Sequence, residues 1–488
     1  MNDEPLKGLI ASVRVQGHNV TAALPAERVG TGLWRVVWSA WDPGSRIHPA
    51  ARREAMMFVL PAGTMAAGTS HYTNATGGNN ATHIARDPGG FVHMVWGDDW
   101  NPDGHRGAMY RRARTMPDGT MRFDIDAAPL APHNGAFTAM PALTAAADTI
   151  HFAWQNEGTL WYRNLTREGA AWRWSDEVDT KIPCLGRDVG PSVAATETAV
   201  HVLTPAGVYA WSTDKGRTWS SEPVPFGTIV QVKTQSLSLD SQGRPLAAAS
   251  VIVATGSTAR LSEDRGHGGY WTIRVARRMG PGRWESVPGP VDRRPEWAAP
   301  ASGEEDVLSD WVRVLEDPKG GMHATWHGTA VTRIYANDHA YYAWRPPGDG
   351  WQSPVSLREP DIGRGFSWSY APGLTLDGDV AMPLVFHAMK TGRVEWGFDA
   401  ELLAFRDGKS IAPPLTVTKF ARDAIATGER GNDLGAWFPG AAPTLYRAPG
   451  GRVWADVLTM LEVKSAAAPG LVVYQRLDVT NWLNASTQ

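Results

Sequence analysis

A single cysteine, Cys184, occurs in 488 residues, so no intrachain disulfide can hold this chain together. Its fold must rest on packing and hydrogen bonds. No apolar run approaches the roughly 18–20 residues of a membrane span, and Met1-Asn2-Asp3-Glu4-Pro5 has no signal-peptide character. No membrane association is expected. The net charge of −3 lacks the basic excess of a polyanion-coating surface, so nucleic acid is not an expected partner. Also missing are a metal-ligand motif, a Gly-rich phosphate loop after a strand and a Gly-x-Ser-x-Gly elbow, so no metal or cofactor is expected. His323 and His327 are four apart, but on a strand that spacing separates them by roughly 13 Å, too far to share an ion.

Helix-forming runs of Ala, Leu, Glu and Lys are scarce, whereas Gly (51), Pro (35) and Trp (23) are abundant, which favours an all-β chain. Short apolar segments then repeat. Gly90-Phe91-Val92-His93-Met94-Val95-Trp96, Thr149-Ile150-His151-Phe152-Ala153-Trp154 and Gly321-Met322-His323-Ala324-Thr325-Trp326 share His and then Trp three places later, and Ala199-Val200-His201-Val202-Leu203 keeps the first half. With the His as a ruler, marks fall at Arg35, His93, His151, His201, Leu246, His323, Ala381 and Trp454. Their spacing of about 45–77 residues suits four-stranded blades plus loops. An Asp followed by turn residues precedes most marks, as at Asp87, Asp240, Asp317 and Asp377, which predicts a hairpin between the innermost and second strands. The four histidines share one position, where imidazole can satisfy an interblade hydrogen bond. A structural role is expected for them.

Eight marks predict a single β-propeller over 1–488 with eight four-stranded blades, or seven if residues 1–75 form a cap rather than a first blade. Closure by pairing of N- and C-terminal strands would remove exposed sheet edges. The segment Leu9 to Val15 is the expected partner for the last blade near Val472-Val473-Tyr474.

One turn is more specific. In Ser212-Thr213-Asp214-Lys215-Gly216-Arg217-Thr218-Trp219, Asp214 can accept from the amides of its own turn, Gly216 can supply a positive φ, and Trp219 can fill space between sheets. This is the Ser-x-Asp-x-Gly-x-Thr-Trp pattern of the Asp-box, and over residues about 79 to 480 the chain resembles the sialidase-like, BNR-repeat propellers. The resemblance implies a carbohydrate-active protein: a sialidase-like or other glycoside hydrolase, a polysaccharide lyase acting on uronate-containing glycans, or a non-catalytic glycan binder. The nearest match to the sialidase Arg-Ile-Pro motif is Arg46-Ile47-His48-Pro49. At the two His positions of the lyase pattern this chain has Asn79 and Asp99.

In a propeller, substrate meets the face built by loops entering the innermost strands and leaving the second strands. Entry loops would present Asn79 and Asn80, His133 and Asn134, Arg313, Arg364 and Trp368, and Trp437 as substrate-binding groups. Second-strand exits would present Asp98, Asp99, His327 and His387 as catalytic ones. Adjacent carboxylates can raise one another's pKa, which suits Asp98 or Asp99 to act as a general acid. Histidine transfers protons near neutral pH, guanidinium matches a sugar carboxylate, and indole stacks on sugar rings. The expected activity is glycosidic bond cleavage in a poly- or oligosaccharide, an acidic glycan in particular, with hydrolysis ahead of β-elimination. The protein is expected to act as a monomer, and secretion or a periplasmic location fits that function class.

Overall fold

The computed structural model describes residues 12–16, 19–23, 32–40, 51–59, 64–70, 75–76, 82–98, 107–116, 120–130, 138–185, 189–227, 229, 231–254, 269–291, 309–329, 338–357, 368–390, 396–418, 434–436, 443–448, 450–463 and 470–484. Contacts divide the chain into two units, Met1–Met65 and Ala66–Gln488. The first contains two antiparallel hairpins, Ser12–Gln16 with Asn19–Ala23 and Gly32–Ala40 with Ala51–Val59. The second is a seven-bladed β-propeller.

Each blade is an antiparallel sheet. From the innermost strand outward, blade 1 begins Ile84–Arg86, Phe91–Asp98, Gly107–Thr115, and blade 2 Thr138–Ala146, Thr149–Asn156, Thr159–Glu168. Blade 3 is Ser192–Ala195, Val200–Leu203, Val208–Ser212, Ser220–Pro223, and blade 4 is Gln231–Leu239, Pro245–Ala254, Gly269–Gly280, Arg283–Val287. Blade 5 is Ser309–Glu316, Met322–Thr329, Asp338–Arg345, Val355–Ser356, and blade 6 begins Trp368–Asp377, Val380–Lys390, Trp396–Leu402. In blade 7, Leu434–Ala436 and Thr444–Arg447 both pair with one edge of Val453–Val463, and Gly470–Asp478 and then Thr64–Ser70 follow on its other side. Of the eight marks, Arg35 belongs to none of the seven blades; it is in the first unit, in the hairpin Gly32–Ala40 with Ala51–Val59. The seven-blade alternative is the one realised.

Thr64–Ser70 pairs with Gly470–Asp478 and closes the ring. Closure therefore joins an N-terminal to a C-terminal strand, but the strand is not the expected Leu9 to Val15 segment, whose last four residues belong to Ser12–Gln16, paired instead with Asn19–Ala23. Gly68 sits against the Trp96 indole so closely that a Cβ there would come within 2.4 Å of Cζ2. Small residues in this strand make room for the blade 1 core. The described residues include one short helix, Thr480–Asn484, and none long and apolar enough to cross a membrane.

The repeated histidines have a common bond. Nδ1 of His93, His151, His201 and His323 lies 2.8, 2.6, 2.6 and 2.9 Å from the hydroxyls of Tyr110, Tyr162, Tyr209 and Tyr342. Each Tyr is on the third strand of the same blade, so the bond ties strands within a blade rather than blades to one another. In blade 7 the corresponding position is Asp456, two residues beyond the Trp454 mark, and it accepts from Tyr474 Oη at 2.5 Å. Burial pushes His151 and His201 down to about 4, and it also lowers His93 and His323 against the opposing effect of Asp87 and Asp317. These imidazoles are neutral at pH 7.

Aspartates close the predicted hairpins. Asp87 accepts from the Phe91 amide at 2.7 Å, Asp240 from Gln242 and Arg244, and Asp317 from Lys319 and Gly321. The Ser212–Trp219 turn joins the third and outermost strands of blade 3. There Asp214 accepts from the amides of Arg217 and Thr218 and from the Ser212 and Thr218 hydroxyls. Gly216 has φ +85°, and Trp219 stacks edge-on against Tyr162 of blade 2 at 5.0 Å between ring centres.

Candidate active site at the propeller mouth

The start of each innermost strand and the end of each second strand lie on one face, because the strands of a blade alternate in direction. Pairing between these two strands slips at Ala139/Ala142, Val232/Thr234, Asp310/Arg313 and Tyr370/Gly373, near the entry end in blades 2, 4, 5 and 6. Met140 and Trp311 take φ values of 51° and 58° at two of these slips. Such bulges bend a strand and re-aim its side chains. The Trp311 amide donates to Thr234 Oγ1 of blade 4 at 2.8 Å, which fixes the bend before Arg313.

His327 and His387 lie toward the mouth ends of the second strands of blades 5 and 6. Side chains alternate along a strand, so their directions follow from their neighbours. Ala324 and Trp326 pack toward blade 4, with Ala248 and Ile273. His327 therefore points the other way, on the same side as Ala340 directly opposite it, and Ala340 packs with Val385 of blade 6. In blade 6, Leu384, Phe386, Ala400 and Leu402 pack toward Val453 and Ala455 of blade 7. Val385, His387, Asp399 and Glu401 thus face blade 5. The two histidines project from opposite walls of one interblade seam.

Both are buried, 3% exposed each. His387 Nε2 is 3.1 Å from Glu401 Oε2, and Asp399, fully buried, lies directly across the strand pair from His387. Asp399 and Glu401 are members of this cluster that the repeat analysis does not reveal. The signal was available in Phe398-Asp399-Ala400-Glu401-Leu402, where two acids alternate within an otherwise apolar strand.

Arg313 reaches across the axis. Its Nη2 donates to Thr82 Oγ1 at 3.3 Å, and Thr82 precedes the innermost strand of blade 1, which is not a neighbour of blade 5 in the ring. The Thr82 carbonyl in turn accepts from the Leu143 amide of blade 2 at 2.8 Å. Burial lowers Arg313 to about 10, still a cation at neutral pH, while burial with the added charge of Arg313 holds His83 down to about 3.

Asp98 ends the second strand of blade 1 at the same face, half-buried, on the side of Trp96, whose Nε1 donates to Thr69 O in the closing strand of blade 7. It borders a different seam from His327 and His387. Trp368 opens the innermost strand of blade 6, but its side chain lies outside the described residues, as do Asn79, Asn80, Asp99, His133, Asn134, Arg364 and Trp437 altogether. The described residues contain no group of three His, Cys, Asp or Glu able to hold a metal ion.

No protein-family model matches the chain, and no curated protein does. Solved structures with a similar course include polysaccharide lyase Uly1 (11% identity, 84% of this chain and 92% of that one, TM-score 0.46). Others are an intramolecular trans-sialidase from Ruminococcus gnavus (11%, 86% and 98%, TM-score 0.37) and YCF48 bound to D1 peptide (13%, 85% and 94%, TM-score 0.40). At these scores the likenesses say nothing about chemistry.

Proposed function

We propose that the protein is a carbohydrate-active enzyme that cleaves a glycosidic bond at the propeller mouth, by acid–base hydrolysis of a poly- or oligosaccharide. The observation that supports this reading most is the placement of His327 and His387 on facing walls of one mouth-side seam. One imidazole takes the proton from water as its oxygen bonds to the anomeric carbon. The departing sugar oxygen receives a proton from an acid, for which Asp98, or Asp99 beside it, is the candidate. Arg313 supplies positive charge at the same face, which suits an acidic glycan.

β-Elimination is the second reading, favoured by the occurrence of imidazoles and a buried guanidinium on adjacent blades. A histidine would remove the proton α to a uronate carboxylate, the electrons would form the C=C bond, and the glycosidic oxygen would leave with a proton. Incubation with acidic and neutral polysaccharides separates the readings. New reducing ends without ultraviolet absorbance indicate hydrolysis, and reducing ends with unsaturated-uronate absorbance indicate elimination. Binding with no product from any glycan would overturn both in favour of a glycan-binding propeller.

A further inference from the structure

We infer that Glu401 is the positioning residue for His387: it fixes which imidazole nitrogen carries the proton and presents Nδ1 as the basic atom. The inference rests on the reading of His387 as a proton-transfer group. An ionised carboxylate only accepts hydrogen bonds, so the 3.1 Å contact is Nε2–H donating to Glu401 Oε2. A neutral imidazole carries one N–H, and with that proton at Nε2 the lone pair is at Nδ1. Both partners are buried, with side chains 4% and 8% exposed, so water competes poorly for either.

The strand geometry makes the orientation hard to lose. Glu401 pairs directly with Val385, and Val385 packs into the blade 5–blade 6 core with Ala340 and Leu374. The adjacent Ala400 amide is pinned by Thr418 Oγ1 at 2.8 Å. Asp399, although directly opposite His387, is not the residue that holds Nε2; the bond goes diagonally to Glu401. A ring flip would put Cε1 where Nε2 stands and break that bond. Glu401 therefore acts on the reaction only through His387, as a carboxylate orients the histidine of a catalytic triad.

The test uses the full chain with ¹⁵N-labelled histidine. Wild type should show His387 as the Nε2–H tautomer. Glu401→Gln keeps the volume but offers an amide that can donate or accept, so a mixture of tautomers is expected. On a substrate found in the glycan panel, kcat should fall about 10²-fold or more with KM within about threefold of wild type. Glu401→Ala, compared by circular dichroism, guards against a variant that fails to fold. An unchanged tautomer in both variants overturns the inference, as does unchanged kcat in Glu401→Gln. Full activity in His387→Ala would instead overturn the placing of the reaction at His387, while the nitrogen shifts would still decide whether Glu401 sets the tautomer.

Discussion

Arg86 and Asp456, 370 residues apart, form a buried ion pair across the junction of the first and last blades. Both Nε and Nη2 of Arg86 reach Asp456 Oδ2, at 3.0 and 2.5 Å. Asp456 also accepts from Tyr474 Oη, so one carboxylate serves the ring closure and the His–Tyr position of blade 7. Comparable polar links cross neighbouring junctions: Arg278 to Glu222, Arg277 to Glu316, Lys319 to Asp379 and Arg447 to Asp377. The last two involve exposed cations and contribute little; the Arg86 pair is enclosed.

Asp456→Ala should therefore be among the most damaging single substitutions. It leaves a buried guanidinium and a buried phenol without their acceptor, a loss of about 3–5 kcal/mol for a broken buried pair. Chemical denaturation measures it. Arg86→Met combined with Asp456→Ala should recover part of the loss, because the uncompensated charge is gone. A double variant no more stable than Asp456→Ala would count against this account.

The ring was legible because four blades keep the same His on the second strand, where a third-strand Tyr needs a partner. Legibility ended where packing replaced pattern. Thr64–Ser70 has no apolar alternation, since Gly68 is small to admit Trp96, so nothing local marks it as the closing strand. The Gly32–Ala40 strand carries the apolar pattern of a blade yet pairs only with Ala51–Val59 among the described residues. At the site, His327 and His387 could be placed at the mouth by their distance along the second strands, within whose ends they lie. Glu401 could not, because its role depends on a diagonal cross-strand contact.

The His–Tyr pairs predict acid sensitivity. His151 and His201 titrate near 4 when folded and near 6.5 when unfolded, so between those values the unfolded chain binds more protons. Stability should be complete above about pH 6.5, fall as pH drops, and lose on the order of 3 kcal/mol per histidine once pH passes below about 4. Melting temperature measured from pH 7 to pH 4 should decline throughout that window. Replacing both residues with Phe should flatten the slope.

Gly216→Ala tests the Ser212–Trp219 turn. The position has φ +85°, and an added Cβ would lie 1.9 Å from Tyr162 Cε1. Left-handed backbone alone costs an L-residue about 1–2 kcal/mol, and the clash also displaces the ring that bonds His151. The expected result is a loss exceeding that of Tyr162→Phe, which removes one buried hydrogen bond worth about 1 kcal/mol. Equal losses would show that the turn yields without disturbing blade 2.

His327→Ala and His387→Ala distinguish a shared seam from two unrelated buried histidines. If both take part in proton transfer, each should lower kcat by about 10²–10⁴-fold, with the far-ultraviolet spectrum unchanged. The double variant should be little worse than the more severe single one, since groups that act on one step are not additive. Independent sites would instead multiply their losses. Arg313→Gln gives the complementary result: it removes charge at the mouth while an amide can still bond Thr82, so KM for an acidic glycan should rise more than kcat falls, and a neutral glycan should be indifferent. Equal effects on both glycans would assign Arg313 to holding blades 1 and 5 across the channel rather than to the substrate.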